Sequence, residues 1–141
     1  MSKKFPDVNI NINNISEIHN NILSDYVKKI AIKYLEVEEG RVLAKLENLK
    51  EYRFLTGAIS GQVLMSAIDT VMSMAMSTSS KSQRGTLSQN NNFIKPGFSD
   101  YFLIESKVQR FGKSIAIGET KVFSEDTKEL ICHATSTYPL K

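Results

Sequence analysis

The 141-residue sequence is poor in cysteine and contains no long apolar run. Cys132 is the only cysteine, so an intrachain disulfide is excluded and nothing indicates an oxidising compartment. No stretch approaches the ~18 uninterrupted apolar residues that a membrane-spanning helix requires. The two lysines after Ser2 are not followed by the apolar segment of a secretion signal. We therefore expect a cytoplasmic protein with no membrane partner.

The sequence also lacks a strong charge of either sign. Its formal net charge is +3, and its lysines and arginines do not cluster into a run that would follow a phosphate backbone, so no nucleic-acid partner is expected. The two histidines, His19 and His133, have no further ligand at metal-binding spacing, and no glycine-rich phosphate loop is present. The sequence thus predicts neither a metal site nor a phosphate-cradling loop.

What is present is the composition of a globular protein, 41% hydrophobic and 23% charged, at a length typical of one domain with one core. Apolar residues recur every three to four positions from Ile15 to Tyr26, which predicts an N-terminal extension with a short helix over residues 1–28. Residues 29–139 are expected to form the core. It contains a hairpin over 30–46, a helix of about 18 residues that begins at Ser60, and strands around 86–95, 101–111, 114–124 and 129–138. We expect these four strands to be antiparallel neighbours in sequence order.

The long helix after Ser60 is apolar at nearly every core-facing position. Such a helix must be covered on most sides, and the remaining predicted elements of the core are strands, which can cover it as a curved antiparallel sheet. The predicted fold is therefore α+β, with the sheet wrapped around the helix. Gly118, in the middle of a predicted strand, indicates either a close approach to the neighbouring element or a β-bulge.

One face of this helix carries polar side chains separated by four, three and four residues: Gln62, Ser66, Asp69 and Ser73. Periodicity alone is equally consistent with a solvent-exposed face. However, the neighbouring turns carry methionines in place of the charged residues typical of such a face: Met65, Met72 and Met76. Asp69 is therefore a candidate carboxylate at an interface or pocket wall, although core packing explains the methionines equally well.

The start of the helix is a second candidate feature. Free backbone N–H groups and the positive end of the helix dipole stabilise a developing oxyanion at such a position. Gly61 has no side chain that would keep a ligand away. An ordinary N-cap by Ser60, followed by a glycine, is the alternative interpretation.

Short motifs accompany these two features in a fixed order along the chain. Gly57 precedes the helix, and Gly61 and Asp69 are separated by eight residues. Three further motifs follow the helix: Gly85-Thr86, Asn92-Phe93-Ile94-Lys95-Pro96 and Arg110-Phe111-Gly112-Lys113-Ser114. Taken together, over about residues 30 to 138, they resemble the hotdog-fold thioesterases of the phenylacetyl-CoA and 4-hydroxybenzoyl-CoA type.

The resemblance implies that residues 1–141 form a single hotdog domain, with residues 29–139 as the hotdog core and a curved antiparallel sheet around a long central helix. It also implies an enzyme, a thioester hydrolase that acts on an acyl-CoA or acyl-carrier thioester. No cofactor is implied beyond the coenzyme A of the substrate. The site of such enzymes lies at a subunit interface, so self-association as a homodimer or homotetramer is expected.

Helix geometry gives a separate reason to expect a dimer. At a rise of about 1.5 Å per residue, Gly61 and Asp69 of one subunit lie ~12 Å apart along the axis, too far to touch the same thioester. We expect Gly61 N–H to polarise the thioester carbonyl while Asp69 of the partner subunit acts as general base or nucleophile. Gln62, Ser73 and Thr86 are expected to bind or orient substrate or water.

Three positions depart from the family pattern. Ser60 stands where the family often has histidine, Gln62 replaces the second glycine, and Phe54 falls where related enzymes place a substrate-contacting asparagine. These departures motivate an alternative, a non-catalytic hotdog domain that binds an acyl ligand or a protein partner. A hotdog dehydratase ranks last, because it needs an Asp and His pair on the helix and this helix has no histidine.

Overall fold

A computed structural model describes residues 9–141 of the chain, and residues 1–8 of the predicted N-terminal extension lie outside the described residues. The elements in chain order are α1 (Ile15–Ile22), α2 (Asp25–Lys28), β1 (Ile32–Glu38), β2 (Arg41–Glu47), a short 3₁₀ turn (Lys50–Tyr52), α3 (Gly61–Met76), β3 (Ser88–Phe93), β4 (Tyr101–Phe111), β5 (Ile115–Ser124) and β6 (Leu130–Pro139). The predicted short N-terminal helix, hairpin and long helix are confirmed. The described helices include none that is long and apolar enough to cross a membrane.

The long helix α3 is the centre of the core. It begins as predicted, because Ser60 is extended and its Oγ accepts a hydrogen bond from the Val63 backbone N–H at 3.2 Å. The helix is 16 residues long and contacts all six strands. Nine of its side chains are buried: Leu64, Ala67, Ile68, Thr70, Val71, Met72, Met74, Ala75 and Met76. The antiparallel sheet therefore surrounds the helix, as the apolar sequence of α3 requires.

The strand order in the sheet is β1-β2-β4-β5-β6-β3. The prediction that the last four strands are neighbours in sequence order is wrong for β3, which pairs with β6 and lies at the edge of the sheet. Both sides of β4 are occupied by β2 and β5, so β3 has no place beside it. The connection to β4 passes through Gly97, where an added Cβ would lie 2.7 Å from the Phe102 ring and 2.8 Å from Ile131. Glycine permits this crossing.

Gly118 lies in β5 directly over α3. An added Cβ there would lie 2.5 Å from Met72 Sδ and 3.2 Å from Met76 Cε. The interpretation as a close approach is therefore confirmed, and the register shift lies in the opposite strand, between Val108 and Arg110. Because Met72 and Met76 are fully buried, these two methionines pack in the core rather than forming a pocket wall.

The N-terminal helix α1 is joined to the sheet by His19. This side chain is 6% exposed, and its Nδ1 lies 2.6 Å from Tyr34 Oη while its Nε2 lies 3.3 Å from the Lys28 carbonyl oxygen. Burial lowers the pKa of His19, and the hydrogen bond to the Lys28 carbonyl opposes that shift. The histidine is therefore favoured in its neutral form in the folded protein.

Candidate functional site

Asp69 lies in the middle of α3, on the face that turns towards β6 and the segment before β3. Of the predicted polar line, Gln62 is exposed at the helix start, whereas Ser66, Asp69 and Ser73 are half-buried. Ser66 is occupied locally, since its Oγ donates to the Gln62 carbonyl oxygen at 3.1 Å. The face of the helix around Asp69 is thus partly covered by other elements of the same chain.

Two hydroxyl groups from distant parts of the sequence donate to the same oxygen of Asp69. Thr86 Oγ1 donates to Oδ1 at 2.5 Å, and Tyr138 Oη donates to Oδ1 at 3.1 Å. Within residues 9–141, Oδ2 accepts no hydrogen bond. One oxygen of the carboxylate is therefore held in place while the other is available to a bound molecule.

Thr86 reaches Asp69 through a turn at Gly85. Gly85 has a φ of 92°, in the left-handed region that favours glycine. Its backbone N–H donates to Gln83 Oε1 at 2.6 Å, and the buried Gln83 also donates from Nε2 to Ser77 Oγ at 3.3 Å. A side-chain amide anchored to the end of α3 thus fixes the turn that delivers Thr86.

Tyr138 is not among the site residues predicted from the sequence. It lies on β6, fully buried, and its Oη is 2.8 Å from Ser73 Oγ. Burial and then the negative charge of Asp69 raise the pKa of Tyr138 well above its ordinary value, so the phenol keeps its proton. The alternation of the strand was the available signal, because Tyr138 shares the inward face with the small residues Ala134 and Ser136.

The helix start is open on one side. Gly61 is the first residue of α3, and the Ser60 side chain caps the N–H of Val63 rather than that of Gly61. Among residues 9–141, no acceptor pairs with the Gly61 N–H. The Phe93 ring stands 3.3 Å from the position of an added Gly61 Cβ and is itself 51% exposed. The available backbone donor is therefore flanked by the ring of Phe93, which belongs to a motif noted in the sequence but was not predicted as a site residue.

The structure divides the predicted site residues into two groups. Asp69, Thr86 and Ser73 belong to one group, in which Ser73 is joined to the carboxylate through Tyr138. Gly61 and Gln62 belong to the other, eight and seven residues away along α3, or ~12 Å and ~10 Å along the helix axis. One chain therefore does not bring the carboxylate and the backbone donor to the same point.

A cleft of about 740 Å³ lies elsewhere, between α1, α2 and the strands β1, β2 and β4. Its lining includes His19, Lys28, Lys45 and Tyr101 but none of the predicted site residues. The residues described contain no group of three or more His, Cys, Asp or Glu side chains arranged to hold a metal ion. The predicted site residues therefore lie outside this cleft.

Two comparisons of sequence identify related proteins. The sequence profile of the thioesterase superfamily matches residues 56–131, a segment that contains α3 and both groups except Tyr138. A protein of Saccharolobus solfataricus that is provisionally named an esterase is 28% identical over 102 residues, which are 72% of this chain and 73% of that protein.

Solved structures share the fold. The E. coli PaaI protein from the phenylacetic acid degradation operon superposes with a TM-score of 0.80 at 15% identity, covering 92% of this chain and 91% of that protein. A Streptococcus mutans protein solved with bound acetyl-CoA has a TM-score of 0.71 at 20% identity, covering 78% and 88% of the two chains. The predicted hotdog fold, with a six-stranded antiparallel sheet around a central helix, is confirmed.

Proposed function

Because the chain belongs to the thioesterase superfamily, we propose that it hydrolyses an acyl thioester at a site shared between two subunits. The observation that carries this proposal is the carboxylate of Asp69, half-buried on α3 with Oδ1 held by two hydroxyl groups and Oδ2 accepting no hydrogen bond in the described chain. A fixed carboxylate with one available oxygen is suited to take a proton from water or to attack a carbonyl carbon.

In the proposed reaction, Gly61 N–H of one subunit donates to the thioester carbonyl oxygen and stabilises its developing negative charge. Asp69 of the partner subunit acts by one of two routes. As a base, it takes a proton from a water molecule whose oxygen attacks the carbonyl carbon. As a nucleophile, it forms an acyl anhydride that water then hydrolyses. In both routes the C–S bond breaks, and the thiolate leaves and takes up a proton.

The three predicted binding residues have different parts in this proposal. Thr86 is engaged with Asp69, and Ser73 is engaged with Tyr138. We assign these two hydroxyls to holding the carboxylate rather than to contacting the substrate. Gln62 is exposed beside the open helix start, so its side chain remains a candidate for a direct contact with the substrate.

The separation along α3 supports a dimer as the active form. The Gly61 N–H and Asp69 of one subunit are too far apart for one thioester, whereas two antiparallel α3 helices related by a two-fold axis bring each glycine opposite the other helix's carboxylate. Two exposed apolar side chains lie at the edge of the sheet: Leu87, the residue before β3, at 63% exposure, and Phe93, the last residue of β3, at 51%. Met65 of α3 lies nearby and is 37% exposed. A second copy that covers this edge would remove that apolar surface from water.

Coenzyme A thioesters are the first substrates to test, since a structural neighbour binds acetyl-CoA. Acetyl-CoA, hexanoyl-CoA and phenylacetyl-CoA form a small panel, with release of the free thiol as the readout. We expect Asp69→Asn to lower kcat by 10² to 10⁴, about 3 to 5 kcal/mol of transition-state stabilisation. Asp100→Asn is the matched control, because Asp100 is an exposed carboxylate on the loop before β4 and should leave kcat unchanged.

Undiminished kcat in the Asp69→Asn variant would contradict the proposal. The alternative from the departures at Ser60, Gln62 and Phe54, a hotdog domain that binds without catalysis, predicts a different outcome. In that case the acyl-CoA would raise the melting temperature of the protein without any release of thiol.

A further inference from the structure

We propose that Tyr138 is a positioning residue which, together with Thr86, holds Oδ1 of Asp69 so that Oδ2 is the oxygen that meets the water or the carbonyl carbon. This inference rests on the proposed function and adds the choice of reacting atom to it. It depends on three observations: the identity of the hydrogen-bonded oxygen, the direction of each hydrogen bond, and the rigidity of the donor.

The two hydroxyl groups converge on one oxygen. Thr86 Oγ1 lies 2.5 Å and Tyr138 Oη 3.1 Å from Oδ1. A carboxylate has two equivalent oxygens only while its surroundings treat them equally. Here both donors meet the oxygen on one side of the carboxylate. Because the two oxygens are chemically identical, a half-turn of the group would leave one oxygen at the donors and one oxygen free, in the same two positions. The position of the free oxygen is therefore fixed relative to α3.

The direction of the hydrogen bonds follows from the chemistry of the groups. An ionised carboxylate only accepts, so Thr86 and Tyr138 both donate to Asp69. Tyr138 has a single O–H, which is shared between Asp69 Oδ1 at 3.1 Å and the Asp69 backbone carbonyl oxygen at 3.4 Å. Its oxygen is then the acceptor for Ser73 Oγ at 2.8 Å. The result is a directed chain in which Ser73 donates to Tyr138 and Tyr138 donates to Asp69. Burial and the nearby carboxylate raise the pKa of Tyr138, which keeps this donor protonated.

The donor itself is rigid. Tyr138 is 0% exposed and pairs with Ala116 across the β5–β6 ladder, so its ring has little freedom to follow a moving carboxylate. Thr86, in contrast, is exposed on the segment before β3. Tyr138 is therefore the part of the pair that ties the carboxylate to the sheet, and reactive groups need to be held within about 0.5 Å of the productive geometry.

The experiment removes the hydroxyl group of Tyr138 and keeps its aromatic ring. We expect Tyr138→Phe to lower kcat for hexanoyl-CoA and phenylacetyl-CoA about tenfold, the effect of losing one hydrogen bond to a charged group. KM should remain within about twofold, because the hydroxyl does not contact the substrate. Ser73→Ala should reduce kcat by about threefold, a smaller loss than that of Tyr138→Phe, because Tyr138 keeps its own proton for Asp69 but loses the contact with Ser73.

Tyr34→Phe is the matched control. Tyr34 is also a largely buried tyrosine with one close hydrogen-bond partner, His19 at 2.6 Å, and it lies outside the site. Its replacement should leave kcat unchanged. Thermal unfolding of both variants measures the purely structural cost of losing a buried tyrosine hydroxyl.

Several results would overturn the inference. A Tyr138→Phe variant with the original kcat, beside an inactive Asp69→Asn variant, would reject the role of Tyr138 and leave the proposed function standing. A loss of kcat accompanied by an equal rise in KM and a large fall in melting temperature would assign Tyr138 a structural role only. Full activity of Asp69→Asn, or no thiol release from any probe, would reject the proposed function and the inference with it.

Discussion

Replacement of Gly61 by proline should remove the proposed oxyanion donor with little change to the helix. Proline has no backbone N–H and is well tolerated at the first position of a helix. Gly61 occupies that position. The preceding residue must be extended, and Ser60 already has φ −70° and ψ 145°. The cap from Ser60 to Val63 does not involve the lost N–H. The substitution therefore deletes one hydrogen-bond donor and keeps the capped helix start.

The expected loss is 10²- to 10³-fold in kcat, about 2.7 to 4 kcal/mol, which is typical of the removal of one oxyanion donor. Gly61→Ala is the control for the added Cβ, which alanine and proline share. Its Cβ would lie 3.3 Å from the Phe93 ring, so the ring must move by a few tenths of an ångström, but the N–H is retained. We expect the alanine variant to keep kcat within about threefold of the original chain.

The assay is thiol release from hexanoyl-CoA and phenylacetyl-CoA, with melting temperatures measured in parallel. A proline variant whose kcat matches that of the alanine variant would refute the role of the Gly61 N–H. Equal large losses in both variants would also refute it, because they would assign the effect to displacement of Phe93. The oxyanion role is supported only if kcat falls strongly in the proline variant and not in the alanine variant.

Three further outcomes are expected. A mixture of the Asp69→Asn and Gly61→Pro variants, each nearly inactive, should recover about a quarter of the original rate after subunit exchange. Half of the dimers are then mixed, and each mixed dimer has one intact site of two. No recovery would place both residues in one subunit's site. Gly118→Ala should lower the free energy of unfolding by about 1 to 3 kcal/mol in urea titration, since its Cβ would lie 2.5 Å from Met72 Sδ; an unchanged midpoint would contradict the close approach. The pKa of His19 is lowered in the folded chain, so the unfolded chain binds a proton at this residue more readily. The free energy of unfolding should therefore be unaffected by His19 above about pH 6.5 and should fall as pH falls towards the lowered pKa. His19→Gln should flatten that decline.

The parts of the fold that depend on local pattern were predictable. Three features depend only on residues that are close in sequence: the alternating burial of β2 and β5, the apolar spacing of α3 and the cap at Ser60. The pairing of β3 was not, because its local sequence fits a strand anywhere in the sheet. Its position is decided by the occupation of both sides of β4 by other strands, which no local pattern records.

The candidate site divides in the same way. Asp69 and Gly61 stand out because their spacing on one helix matches a family pattern, and Thr86 follows from an adjacent motif. Tyr138 lies 69 positions from Asp69, and nothing near it in sequence indicates a carboxylate partner. The role of Gln83 could not be predicted either, because this side chain acts on the site only by accepting a hydrogen bond from the Gly85 backbone N–H. Long-range contacts of this kind depend on the assembled sheet.

The edge position of β3 has a consequence for colloidal behaviour. The strand reads Ser-Gln-Asn-Asn-Asn-Phe, an amide-rich sequence whose outer backbone groups lie at the margin of the sheet, where strands of other chains add most readily. It also has no lysine or proline, the residues that usually discourage such addition. A two-fold partner ends growth after one addition, whereas a head-to-tail contact continues into a filament. If the chain forms the proposed two-fold dimer, chains that lack a partner are the form in which aggregation would begin.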